Sequence, residues 1–178
     1  MRHFSIYVCE EDSVRLEPLA PDDRPRPLGE NWDEGQVIDV PEKVVFKTYL
    51  KQNKLYDWIG GYSWNPYVSE AVKNRLHPLL GETVQWIGPV ECKGRNYFML
   101  NCINIIDCLL PGSHSHKLLF NDNQFNDQWL FRPKGLVRCL IATEQFKKNI
   151  FQAGDSGIRF GLVKDDGWVT SFHSSESA

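Results

Sequence analysis

Two sets of residues in this chain have the right types for chemistry. The first is sulfur and imidazole: Cys102 and Cys108, followed closely by His114 and His116. Cysteine and histidine together can bind zinc, or can pair as nucleophile and base. Their spacing here matches no structural or catalytic zinc pattern, and Pro111, Gly112 and Ser113 mark a surface turn between them, so no metal ligand is assigned. The second set is Ser69 with Glu70 and Thr143 with Glu144, pairs that would suit acid–base work. Each pair stands where a helix should begin. There a hydroxyl accepts from a free backbone N–H, and an acid faces the positive end of the helix dipole. Capping therefore accounts for both pairs. Gly60-Gly61 and Gly154-Asp155-Ser156-Gly157 lack the spacing of a phosphate loop. No catalytic, cofactor-binding or metal-ligating residue is assigned, and no cofactor is expected. A hydrolase using a Cys/His pair is the rival class. It requires a pocket that joins a Cys to a His and a perturbed thiol.

The elements that carry these pairs occur twice. Residues 68–90 and 142–164 are two copies of one unit at a constant offset of 74 positions. Ser69-Glu70-Ala71-Val72-Lys73-Asn74-Arg75-Leu76 aligns with Thr143-Glu144-Gln145-Phe146-Lys147-Lys148-Asn149-Ile150. Further on, Val84 meets Ile158 and Trp86 meets Phe160. In the first copy Val72, Leu76, Leu79 and Leu80 form one apolar helix face. Pro78 removes a helical hydrogen bond and should kink or end that helix, and Gly81 is a plausible stop. An alternating strand follows in each copy. The unit reads as a helix–turn–strand scaffold rather than an active site.

Around the repeat, residues 3–9 alternate as a strand, and residues 18–31 hold four prolines and read as a loop. Residues 36–50 are ambiguous between strand and helix. Residues 96–108 read as one long central strand, with room for a bulge. Residues 118–120 and 129–131 look like a hairpin or two adjacent strands, and residues 136–141 like one more strand. The polar tail from residue 171 should fray. Trp58, Tyr62, Trp64 and Tyr67 cluster densely, either as core beneath a loop or as an exposed patch. In the second case the chain would be a self-associating adaptor. The expected architecture is α+β: one domain over residues 1–178, with a mixed or mostly antiparallel sheet and two repeat helices packed on it.

Charge is uneven along the chain. Residues 1–45 carry eleven acids against five bases, a balance of −6, whereas the remainder carries fifteen bases against twelve acids. Such a front third disfavours nucleic acid as its partner and suits a basic protein. Five cysteines, Cys9, Cys92, Cys102, Cys108 and Cys139, show no paired spacing, which fits free thiols in a reducing cytoplasm. No apolar run approaches the ~20 residues of a membrane span, and a signal peptide is not expected.

The repeat and the segment between its copies resemble a bacterial immunity-protein family, encoded beside polymorphic or contact-dependent toxins and long described only as a domain of unknown function. The matching features are Val68-Ser69-Glu70 opening a helix and the strand at residues 84–90. Asn96-Tyr97-Phe98-Met99-Leu100-Asn101-Cys102 and Ile105-Ile106-Asp107-Cys108 also match. So do Trp129-Leu130-Phe131-Arg132, Leu140-Ile141-Ala142-Thr143-Glu144 and Gly157-Ile158-Arg159-Phe160. The resemblance spans residues 55–163; the acidic region lies outside it. It implies a non-enzymatic cytoplasmic protein that binds and neutralises a cognate toxin, often a nuclease in such systems, with no direct contact to nucleic acid or membrane. Together with the charge balance it makes Asp22, Asp23, Glu30, Asp33 and Glu34 the expected partner-binding residues. The oligomeric state is left open.

Overall fold

A computed structural model of the chain describes residues 2–8, 15–19, 34–40, 45–49, 54–60, 65–121, 124, 128–170 and 173–174. In chain order the elements are β1 (His3–Val8), β2 (Arg15–Leu19), β3 (Val45–Tyr49), β4 (Trp58–Ile59), β5 (Tyr67–Ser69), α1 (Glu70–Leu80), β6 (Val84–Cys92), β7 (Arg95–Cys102), β8 (Ile105–Ile106), β9 (Leu130–Pro133), β10 (Ile141–Thr143), α2 (Glu144–Ala153), β11 (Ile158–Val163) and β12 (His173–Ser174). The fold is α+β. Among the described residues one sheet has the order β4-β5-β7-β6, a second has β12-β11-β1-β10-β9-β8, and β2 pairs with β3. All pairings are antiparallel except β8 on β9. No helix among the described residues is long and apolar enough to cross a membrane.

The sequence repeat becomes two structural halves. In the first half β7 lies between β5 and β6; in the second, β1 lies between β10 and β11. The registers correspond pair by pair. Val68↔Phe98 matches Ala142↔Phe4, Val84↔Cys102 matches Ile158↔Val8, and Trp86↔Leu100 matches Phe160↔Ile6. The N-terminal strand thus supplies to the second half what the β6–β7 hairpin supplies to the first. The shared core is built from the same equivalent positions: Val72 and Phe146, Leu76 and Ile150, Val84 and Ile158 are all buried. Separate apolar clusters cover the other faces. One joins Leu16 and Ile38 to Tyr67, Tyr97 and Met99, and the other joins Cys108 and Leu118 to Phe131 and Ile141.

α1 ends as expected, two residues beyond Pro78 at Gly81, whose φ of 51° and N–H to the His77 carbonyl close it, and several other expectations change. Pro this near the C-terminal end removes only one bond of a nearly finished ladder. Leu79 is 38% exposed and does not join the buried face of Val72, Leu76 and Leu80. The stretch 96–108 is not one strand. It breaks after Cys102, where Ile103 N–H turns back to the Thr83 carbonyl at 3.0 Å, and Asn104 Nδ2 donates to the Leu130 carbonyl at 3.0 Å. Those bonds carry the chain from one sheet to the other, where Ile105 and Ile106 pair with Arg132 and Pro133. Residues 118–120 and 129–131 form no hairpin: Phe120 bridges to Leu109, and β9 pairs with β10. β10 begins only at Ile141, after turns at residues 134–138. Within the tail expected to fray, residues 173–174 form β12, paired with Arg159 and Phe160, and the rest of it lies outside the described residues. Trp58 and Tyr67 are fully buried, which takes both out of any exposed aromatic patch; Tyr62 and Trp64 lie outside the described residues.

Candidate functional site

Of the five acids expected to meet a partner, Asp22, Asp23, Glu30 and Asp33 lie outside the described residues, and Glu34 lies within them. Glu34 is half-buried, with its carboxylate 3.7 Å from Arg138 Nη2. It opens a strap, residues 34–40, that is tied to both halves. A Cβ on Gly35 would come within 2.7 Å of Arg132 Cδ and 2.9 Å of the Cys102 carbonyl oxygen, so only glycine fits that approach. The φ of +76° there points the same way. Beyond it, Asn101 Nδ2 donates to the Gln36 carbonyl at 2.7 Å. Ile38 N–H donates to Gln85 Oε1 at 2.9 Å, and Gln85 Nε2 donates back to the Ile38 carbonyl at 2.6 Å. That carboxamide replaces a strand neighbour, and Ile38 is buried below it. The outward positions are then fixed: Val37 is 72% exposed, and Gln36, Asp39 and Val40 are exposed beside it.

Beneath the strap Arg132 is wholly buried. Its Nε donates to the Cys102 carbonyl at 2.9 Å, and its two terminal nitrogens donate to the Val137 carbonyl and to Asn65 Oδ1. This guanidinium links β7, β9 and the segment before β5. Its position makes it a structural tie rather than a surface for ligands.

A second polar cluster joins the halves. Arg75 on α1 donates to Asn149 on α2 and pairs with Asp155. Trp58 Nε1 donates to the same Asp155 carboxylate at 3.0 Å. Burial pushes the Asp155 carboxyl up, while the Trp58 indole N–H and the Arg75 guanidinium pull it back. Next to it Asp57 Oδ2 accepts from the Ser156 hydroxyl at 2.7 Å and from Ser156 N–H at 3.0 Å. Every polar group of the cluster named here faces another protein group, so it reads as a joint.

The helix starts behave unequally. Ser69 Oγ accepts from Val72 N–H at 3.5 Å, the capping expected of it. Thr143 makes no side-chain cap; its hydroxyl donates instead to the Trp129 carbonyl at 3.4 Å. Along α2 from that point runs a cleft of about 520 Å³. Gln145, Lys148, Asn149 and Gln152 form one side, at the helical spacing i, i+3, i+4, i+7, and Gln128 and Trp129 face them. Thr143 and Glu144 complete the lining.

The described thiols are placed against reactivity; Cys9 lies outside the described residues. Cys92, Cys102 and Cys108 are buried and Cys139 is half-buried. Burial pushes the Cys102 and Cys108 thiols up to about 11 and raises Cys139 as well, with Arg132 pulling the last back in part. At neutral pH these three are thiols, not thiolates. His114 and His116 are exposed, 6.3 Å apart by ring centroids, and His114 lies 6.1 Å from the half-exposed Trp168 ring. Among the described residues no group of three or more His, Cys, Asp or Glu stands close enough to hold a metal ion.

No protein-family model matches the chain, and no curated protein is matched by it. Sequence reasoning missed the strap anchors and the cleft. Gln85 and Asn101 stand as polar residues between apolar neighbours on strands, a pattern that ordinarily denotes a solvent-facing side and so gives no sign of the strap they anchor. The cleft has no sequence signal, because polar residues at helical spacing usually denote plain solvent exposure.

Proposed function

We propose that the protein is a bacterial immunity protein, acting in the cytoplasm, that neutralises a cognate toxin by forming a tight one-to-one complex. The toxin class favoured by charge is a basic domain such as a nuclease. One observation supports this reading most: the acid-rich front third ends in a strap that is hydrogen-bonded in place and turns Val37 and Val40 outward beside Asp39. Exposed apolar groups on a pre-ordered backbone give a contact that costs little ordering on binding. The net acidity of the front third, with Glu34 and Asp39 on the strap itself, steers a basic partner toward it. Inhibition then needs occupancy alone, either plugging the toxin's active site or covering its approach, and calls on no catalytic group or cofactor.

The test is co-expression with the product of a neighbouring toxin-like open reading frame. Cells carrying the toxin should survive only with this protein present, and the two chains should co-purify at one to one. Survival that requires no complex, or a complex that leaves toxicity intact, would sink the proposal.

A further inference from the structure

The two halves differ at one equivalent place. In the first half, residues 155–156 are seated against the start of β4. Trp58 N–H donates to the Ser156 carbonyl at 3.0 Å, Asp57 N–H donates to Ser156 Oγ at 3.1 Å, and Ser156 N–H returns to Asp57 Oδ2 at 3.0 Å. Asp155 anchors the same segment to Arg75 and Trp58. In the second half Trp129 stands where Asp57 stands. Thr143 N–H donates to the Trp129 carbonyl at 3.2 Å, as Ser69 N–H donates to the Asp57 carbonyl at 2.8 Å. The pairing Leu130↔Ala142 likewise matches Trp58↔Val68. The repeat mates of residues 155 and 156 are Gly81 and Glu82. Both are exposed, no atom lies within 4 Å of a Cβ built on Gly81, and neither lines the cleft. The cleft on α2 is therefore the open counterpart of a seat that, in the other half, holds a two-residue segment by the Ser156 N–H and carbonyl together with the Asp155 and Ser156 side chains.

We propose that this cleft receives a short loop of the protein partner, bound through the loop's backbone together with its small polar side chains. This rests on the reading of the protein as a toxin-binding immunity protein and names where the toxin docks. The lining suits that occupant. Gln128, Gln145 and Gln152 carry carboxamides that both donate and accept, the complement of peptide C=O and N–H groups. Trp129, half-buried, supplies a flat apolar wall of the kind that anchors interfaces. Glu144 has a carboxylate oxygen that is buried without a hydrogen-bond partner, and a small rotation would bring it to a loop N–H or hydroxyl, the role of Asp57 toward Ser156. Lys148, exposed at the rim, can pair with an acidic loop residue as Arg75 pairs with Asp155. A volume of about 520 Å³ accommodates a segment of that size.

The test uses the double variant Gln145→Leu/Gln152→Leu, both exposed positions, which removes the carboxamides without adding charge, with thermal unfolding to verify that it folds. Against the toxin, its affinity should fall by at least about tenfold. If the wild type binds and the double variant binds equally well, the seat is wrong and the immunity reading stands. If the wild type binds no toxin, the immunity reading fails, and a capped peptide with the sequence of residues 153–157 decides the seat. Titrated to about 10 mM, it should shift the Trp129 indole N–H and the α2 carboxamide signals saturably in NMR spectra, and less so in the double variant. No shift, or equal shifts in the variant, overturns the seat.

Discussion

Arg75 donates from Nη1 to Asn149 Oδ1, its own counterpart 74 positions along the chain. Two equivalent residues can touch only where the two copies of a repeat come face to face. The pair marks where α1 and α2 meet. The equivalence ends there, because Arg75 also takes Asp155 while Asn149 has no charge to offer a residue at position 81 or 82.

Removing the guanidinium should therefore cost more than a surface change. Arg75→Met leaves the Asp155 carboxylate, 6% exposed, without its cation. We expect a loss of roughly 1–3 kcal/mol, discounted because Arg75 is itself partly exposed. Asp155→Asn should behave differently with pH. Its folded carboxyl titrates above its unfolded value, so the stability it contributes is present below the ordinary carboxylate range and is lost as pH rises through the folded value. Asp155→Asn should thus compare more favourably with wild type at pH 7 than at pH 3.5 in urea unfolding. The opposite trend would show that the pair with Arg75 outweighs burial.

Gly157 offers a sharper test of the joint between the halves. A Cβ there would collide with the Trp58 carbonyl oxygen and lie 2.6 Å from Tyr56 Cβ, at a φ of +86°. Gly157→Ala should lose roughly 3–4 kcal/mol. Gly154 has a φ of +71° but no atom within 4 Å, so Gly154→Ala should lose only about 1–2 kcal/mol. Thermal unfolding of both variants checks the ranking; equal losses would refute the collision.

The N-terminal strand should be indispensable. Phe4 is 3% exposed, packs edge-to-face on Phe160 at 6.3 Å, and carries Lys147 Nζ 4.2 Å above its ring. Phe4→Ala should cost about 3–5 kcal/mol. Deleting residues 1–8 should abolish folding of the second half, since β10 and β11 would lose the strand between them. Native dispersion of the β10, α2 and β11 signals in that truncated chain would contradict the equivalence of β1 and β7.

Thiol chemistry separates the binding reading from a Cys/His hydrolase. With thiols near 11, Cys102 and Cys108 should alkylate at pH 8 at least about a hundredfold more slowly than a free cysteine, and at the ordinary rate after unfolding. Peptide mass mapping after brief iodoacetamide treatment reads this directly. Rapid native labelling of either residue would revive the enzyme.

Charge reversal probes the acidic front. Asp33→Lys with Glu34→Lys should slow association with a basic toxin and flatten its salt dependence, with dissociation little changed. Stopped-flow kinetics at low and moderate salt will tell; identical association rates would move the contact elsewhere. Glu34 will be the weaker contributor, because Arg138 already faces it.

Much of the scaffold is written locally. The repeat, the Ser69 cap of α1, β1, and the strands after each helix follow from capping chemistry and from the alternation of apolar residues, which depend on neighbours a few positions away, whereas Thr143 at the start of α2 turns to the Trp129 carbonyl instead of capping. The chain by itself also established the uneven charge and the lack of any metal-type spacing. Tertiary structure decided the rest, because long-range pairing has no local signature. It broke the stretch 96–108 after Cys102, since Asn104 finds its partners on the neighbouring sheet, and it drew residues 173–174 onto β11. It placed β1 where a hairpin strand would stand, and it turned Gln85 and Asn101 into anchors for a strap from far earlier in the chain. Only the packed molecule shows that a seat filled by Asp155 and Ser156 in one half is left open along α2 in the other. Two halves with similar sequence can differ in occupancy whenever one loop finds charged partners and its counterpart does not.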